Sequence, residues 1–246
     1  MKAIVTGGAG FIGHHLVNLL IEQGHEVEVW DNLSTGKEER IHADALFRKI
    51  DINVDEMPAT WADMVFHLAA PTSVQESLEN PYKYEQGCYM TTKRMLDWSL
   101  ANGVQSFVLA STAAIYGEPT EVPVKEDSEI NPMSPYAEQK RNSEMLMAAY
   151  QRNFKIKCTA LRLFNVYGEG QPDSGSYAPA VALFLKQYPD IIVDMSTIVN
   201  TDGKDGQPSA RLINHLKSDD FFGVGQFYAS FPQVDDAEVK QLLSQE

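Results

Sequence analysis

Cysteine is scarce in this chain of 246 residues: there are two, Cys88 and Cys158. They stand far apart, with no Cys-x-x-Cys and no paired histidines. Neither a disulfide framework nor a zinc site is signalled, and both read as buried free thiols. No metal site is expected. Long apolar runs are missing too. None approaches a membrane span, and the opening Met1-Lys2-Ala3-Ile4-Val5 reaches glycine by Gly7, too soon for a signal peptide. A cytoplasmic protein with no membrane partner is therefore expected. Positive charge is in deficit, since 20 Lys and Arg against 34 Asp and Glu leave a formal net charge of -14. A field of that sign repels nucleic-acid phosphates, so nucleic acid is not an expected partner. An anionic small molecule must be met locally, by helix N-termini and a few basic side chains.

What is present is an alternation of short apolar runs with amphipathic stretches. Ala3 to Thr6, Val27 to Trp30, Met64 to Ala70, Phe107 to Ser111 and Lys157 to Phe164 read as strands. Gly10 to Gln23 and Pro135 to Arg152 read as helices between them. This rhythm predicts an α/β fold with a doubly wound parallel sheet of the Rossmann type. The pattern weakens after about Gly168, where a Gly, Pro and Ser-rich stretch marks a loop. The expected division is a dinucleotide-binding domain over residues 1–168 and a small, atypical C-terminal lobe over 169–246. In that lobe Ala178 to Gln187, Ser209 to Lys217 and Asp235 to Leu243 look helical, and Asp190 to Met195 looks like a strand.

Thr6-Gly7-Gly8-Ala9-Gly10-Phe11-Ile12-Gly13 follows a strand at once and opens a helix, the context that gives a glycine pattern its force. Gly7 serves the turn, Gly10 lets the main chain approach a pyrophosphate, and Gly13 permits close packing of helix on strand. Asp31 closes the second strand about 20 residues on, where its carboxylate accepts ribose hydroxyls and repels a 2′-phosphate. The following Asn32-Leu33-Ser34-Thr35-Gly36 is neutral, so NAD is preferred to NADP. Asp51, after a third strand, is a candidate for adenine binding.

Tyr136-Ala137-Glu138-Gln139-Lys140 puts a phenol and an ammonium at i and i+4 on one helix face, where the cation favours the tyrosinate. Upstream, Ala110-Ser111-Thr112-Ala113-Ala114-Ile115-Tyr116-Gly117 places hydroxyls at a strand end, on the edge where doubly wound sheets bind ligands.

With His67-Leu68-Ala69-Ala70 and Leu161-Arg162-Leu163-Phe164-Asn165-Val166-Tyr167-Gly168, these motifs resemble the extended short-chain dehydrogenase/reductase family from Met1 to about Phe184. The likeness is strongest to its nucleotide-sugar epimerases of the UDP-glucose 4-epimerase type. It implies that Tyr136 takes a proton from a sugar hydroxyl while NAD oxidises the carbon, and the keto intermediate is then re-reduced on its other face. Lys140 would hold the nicotinamide ribose, and Thr112 would hydrogen-bond the reacting hydroxyl. The cofactor set implied is Gly7, Gly10, Phe11, Ile12, Gly13, Asp31, Asn32, Ser34, Gly36, Asp51, Ile52, Leu68, Ala69, Ala70, Tyr136, Lys140 and Phe164. The nucleotide-sugar substrate would meet Thr72, Ser73, Thr112, Tyr136 and Asn165. A homodimer is implied, packed through Pro81 to Leu100 and Pro135 to Arg152.

Related dehydratases and decarboxylases carry an acid just after the catalytic Thr, where this chain has Ala113 and Ala114. That favours epimerisation, or net oxidation and reduction, over dehydration. Three departures stand out: Gln86-Gly87-Cys88 where the family has Asn-Val, Gln139 before the lysine, and no Arg-Asp-Phe or Val-Asp-Asp stretch after Phe184. Family members are usually longer by several tens of residues; Arg211 is a candidate substitute for the missing clamp, but one basic residue after a turn reads first as solvated. The readings left open are an epimerase, a net oxidoreductase exchanging NAD with solution, and an NAD-binding protein with little catalysis. His14 and His15 read as structural or exposed, His67 as a core or strand-end residue, Trp30, Trp61 and Trp98 as packing aromatics, and Asp219-Asp220 as a helix-end charge.

Overall fold

The computed structural model describes residues 1–119, 123–166, 168 and 170–172. The chain divides after Val166 into two units, and the first, Met1–Val166, contains every described helix and strand. The helices and strand expected between Ala178 and Leu243, with Arg211, Asp219 and Asp220, lie outside the described residues.

Six strands form one sheet: β1 (Lys2–Thr6), β2 (Glu26–Asp31), β3 (Leu46–Lys49), β4 (Met64–His67), β5 (Ser106–Thr112) and β6 (Lys157–Leu163). Their order is β3-β2-β1-β4-β5-β6 and every pairing is parallel. This is the doubly wound order in which the connections reverse direction between β1 and β4, leaving a crevice at the carboxyl ends of those strands. Alternation along β1 shows how the core is built. Ile4 points into a cluster with Trp30, Val65, Phe107, Leu109, Met95 and Met147. Ala3 and Val5 point to the other face, with Val17, Leu20, Val27 and Val29. Helix α1 (Phe11–Glu22) covers the second face, while α4 (Thr91–Ala101) and α5 (Pro135–Phe154) supply side chains to the first.

Two elements differ from the sequence expectation. The fourth strand ends at His67 rather than Ala70, its pairing with β1 stopping at Thr6 and its pairing with β5 at Leu109. The single helix expected from Pro81 to Leu100 is broken. It comprises α3 (Pro81–Tyr84), a π-helical turn (Glu85–Met90) and α4, preceded by the short α2 (Val74–Glu79). Gly87 sits within the π turn against Pro71, where an added Cβ would lie 2.6 Å from the proline Cδ. The widened turn is stitched by Thr91 and Thr92, whose hydroxyls donate to the carbonyls of Gly87 and Cys88, each at 2.7 Å.

Candidate active site

The loop after β1 is closed by its own backbone: Gly7 N–H donates to Trp30 O at 2.8 Å and Gly10 N–H to Gly7 O at 3.1 Å. Helix α1 then starts at Phe11 with Gly10 as its N-cap, no side chain capping it and no acid in its first turn. The first-turn amides of Phe11, Ile12 and Gly13 have no intrahelical acceptor, and the helix dipole adds positive potential there. Such a helix start favours an anion. A Cβ on Gly13 would lie 2.1 Å from Gly7 O, so only glycine lets the helix begin this close to the loop.

Asp31 ends β2 and is 7% exposed. Its Oδ2 accepts Ala9 N–H at 3.0 Å and its Oδ1 accepts Leu33 N–H at 2.8 Å. Each oxygen keeps a further lone pair for a hydroxyl donor. Asn32 Nδ2 donates to Asp51 Oδ2 at 3.2 Å and its Oδ1 accepts Ser34 N–H at 2.9 Å, tying the two loop ends together. Lys37 N–H donates to Ala9 O at 3.0 Å, which folds the Gly36 turn back onto the glycine loop. Ile52 is buried beside Asp51. Beyond β4, Leu68 N–H donates to Thr6 O and Ala69 N–H to Thr6 Oγ1, at 3.1 and 3.2 Å. The candidate residues from 7–13, 31–36, 51–52 and 68–70 therefore meet at one sheet edge. An uncapped helix start beside a half-satisfied carboxylate fits a dinucleotide with free ribose hydroxyls.

The second group lies at the end of β5. Ser134 caps α5, its Oγ accepting Ala137 N–H at 3.2 Å, and Pro135 stands at the first helical position. That start places Tyr136 in the first turn, 8% exposed, and Lys140 one turn later, 4% exposed. Lys140 Nζ donates to Ala110 O on β5 at 2.7 Å. Its burial lowers the ammonium pKa from the ordinary lysine value, with the Cys88 thiol opposing that shift. Thr112 is the last residue of β5, and its Oγ1 accepts Ala114 N–H at 3.1 Å, capping the 3₁₀ turn Ala113–Tyr116. Ser73 caps α2 by accepting Glu76 N–H at 3.1 Å, and Thr72 beside it is exposed. Phe164 and Asn165 follow β6 and are also exposed.

A carboxylate missed in the sequence reading completes the arrangement. Glu144 lies one turn beyond Lys140 and is 8% exposed. It accepts Ser111 Oγ at 2.6 Å, two bonds from Arg162 at 3.1 and 3.0 Å, and one from Arg141 at 3.1 Å. Burial alone would raise its pKa, but the Arg162 and Ser111 bonds outweigh it and hold the group below the usual carboxylate range. Arg162 also donates to Tyr116 Oη and Glu126 O, both at 2.8 Å. The sequence signal was the spacing 136, 140, 144, a helix stripe continuing past the Tyr and Lys pair onto β5. His67, read as a core or strand-end residue, ends β4, lies 2.8 Å from Thr6 Oγ1 through Nδ1 and is 2% exposed. Burial, with the charge of Lys140, pushes it down to about 3, so it is neutral at physiological pH.

The profile of the NAD dependent epimerase/dehydratase family matches residues 3–204. The UDP-glucose 4-epimerase of Corynebacterium glutamicum is 40% identical over 171 residues, 68% of this chain and 52% of that protein. A crystal structure of UDP-glucose 4-epimerase from Thermotoga maritima, with UDP-glucose, has a TM-score of 0.71 and 40% identity, covering 76% of this chain and 62% of that one. A UDP-glucose 4-epimerase structure from Thermus thermophilus, complexed with NAD, has a TM-score of 0.68 and 34% identity over 78% and 63% of the two chains. This chain thus spans between half and two thirds of these proteins' lengths.

Proposed function

The chain belongs to the NAD dependent epimerase/dehydratase family, and from that membership we propose that it epimerises a nucleotide sugar of the UDP-hexose type through a transient keto intermediate. Residues 1–168 would hold NAD and the reacting carbon, and residues 169–246 would complete the substrate lobe. The observation that carries this reading is the buried Tyr136 and Lys140 pair on α5, set against the end of β5 that carries Thr112, with Ala113 and Ala114 next in sequence. Dehydration calls for an added acid at that place, and two methyl groups stand there instead.

The residues divide the work as follows. The first-turn amides of α1 bind the cofactor diphosphate, and Asp31 accepts the adenosine ribose hydroxyls. When bound, NAD supplies a reversible two-electron acceptor for the sugar carbon. Tyr136 Oη takes the proton of the sugar hydroxyl and later returns it, while Thr112 Oγ1 keeps its own hydrogen to donate to that oxygen. Lys140 spends one N–H on Ala110 O and retains two for the nicotinamide ribose. Burial of Tyr136 and Lys140 excludes water from the proton transfer.

The test is proton NMR of the purified protein with UDP-glucose or UDP-galactose and no added NAD, beside Tyr136→Phe. Interconversion by the parent, reduced at least about a hundredfold in the variant, is the expected result. NADH accumulating with turnover would replace epimerisation by net oxidoreduction. Unchanged sugars, from protein that still releases NAD on denaturation, would remove the UDP-hexose assignment and leave a cofactor-binding protein. We also read the chain as a homodimer.

A further inference from the structure

Tyr84, outside every motif discussed above, is completely buried and meets Tyr136 edge to face, with ring centroids 5.9 Å apart and planes at 85°. Cys88, Ala70, Val74 and Ala114 fill the rest of this small apolar cluster. An edge-to-face pair sets the rim of one ring against the face of the other, which holds both rings to one orientation. The far end of Tyr84 is held as firmly. Its hydroxyl donates to Glu76 Oε2 at 2.9 Å and accepts Ser73 N–H at 3.0 Å. Glu76 is paired in turn with Lys83, and its own N–H returns to Ser73 Oγ. Burial and the Glu76 carboxylate raise the Tyr84 phenol above its ordinary value, so it stays protonated and moves no proton itself. One partner would satisfy a buried hydroxyl; here a donor and an acceptor grip it from both sides, and the donor is the backbone of Ser73.

We propose that Tyr84 is a positioning residue that fixes the Tyr136 ring from one side and the Ser73 loop from the other. One side chain then sets both the aim of the phenol and the seat of the sugar. The inference rests on the reading of Tyr136 given under the proposed function and on the family resemblance that puts Ser73 at the substrate. Its physical core, the link itself, can be measured without turnover.

Two variants separate the two grips. Tyr84→Phe keeps the ring and loses the hydroxyl. KM for UDP-galactose should rise about fivefold with kcat within about twofold, the pattern of a lost binding contact. Exchange of the Ser73 amide, followed by NMR, should quicken about tenfold, the factor carried by one hydrogen bond of ordinary net strength. Tyr84→Leu removes the ring edge, and kcat should fall about tenfold or more as the phenol loses its orientation. If the Leu variant does not fold, the Phe variant decides. Should the parent turn over no nucleotide sugar, the functional reading falls and Ser73 exchange still judges the link. The proposal is overturned by a Phe variant with parental Ser73 exchange, or by one whose only change is a lower Tm with KM and kcat unaltered.

Discussion

At the scale of single residues, two buried ionisable groups make the fold's stability depend on pH, the first from a higher pH than the second. His67 has a folded pKa depressed from 6.5 to about 3. Below 6.5 the unfolded chain binds a proton that the folded chain refuses, so stability declines as the pH falls from 6.5 toward 3. Integrated between pH 7 and pH 5, that proton is worth about 2 kcal/mol. Urea unfolding at the two pH values should show this difference in the parent, and His67→Gln should remove it. Glu144 is depressed below 4.5 by its arginine and serine partners. Its contribution is complete above the unfolded value and is lost as pH falls through the lower folded one. Glu144→Gln strips the charge from a side chain that two arginines share, and should cost about 3 kcal/mol at pH 7, within the range for breaking a buried pair. An equilibrium melt differing by less than about 0.5 kcal/mol would mean that solvent screens the pair.

At the scale of elements, the two helix starts at the sheet edge bear on function in different ways. Ser134→Ala removes the cap of α5 and should lower stability by about 1 kcal/mol, with a fall in kcat because Tyr136 sits in the turn that frays. Gly13→Ala puts a methyl group where Gly7 O already stands. The α1 helix must then move off the loop, and protein purified from cells should release far less NAD on denaturation than the parent. Much of this level was legible in the sequence. The β1 loop, α1, Asp31 and α5 announce themselves because each combines a turn or cap residue with a long apolar period. Strand β3 was nearly silent, since the edge position leaves Leu46 and Lys49 exposed and only Phe47 and Arg48 half-covered. The π turn was unreadable: Gly87 packs there against Pro71, a contact that the local residue pattern does not carry. Glu144 and Tyr84 escaped for a related reason. A glutamate or tyrosine on an amphipathic helix looks like surface until the tertiary partners Arg162, Ser111 and Ser73 are in place.

At the scale of the whole molecule, sedimentation should give twice the 27.4 kDa chain mass if the homodimer reading holds, and a single-chain mass would discard it. Met145, 57% exposed on α5, is the apolar position to test, since Met145→Glu in such an interface should yield monomers. The topology also imposes an order in time. Strand β1 is made first and pairs with β2 soon afterwards, but its other neighbour is β4, beginning at Met64. Until β4 has been synthesised, the loop after β1 lacks the wall that Ala69 builds through Thr6, and His67 is not yet there to meet that threonine. On the ribosome, the glycine loop is thus written before β2, β3 and β4 and is finished only after all three have followed it. A nascent chain arrested before β4 carries every glycine of the loop and no finished place to put a phosphate.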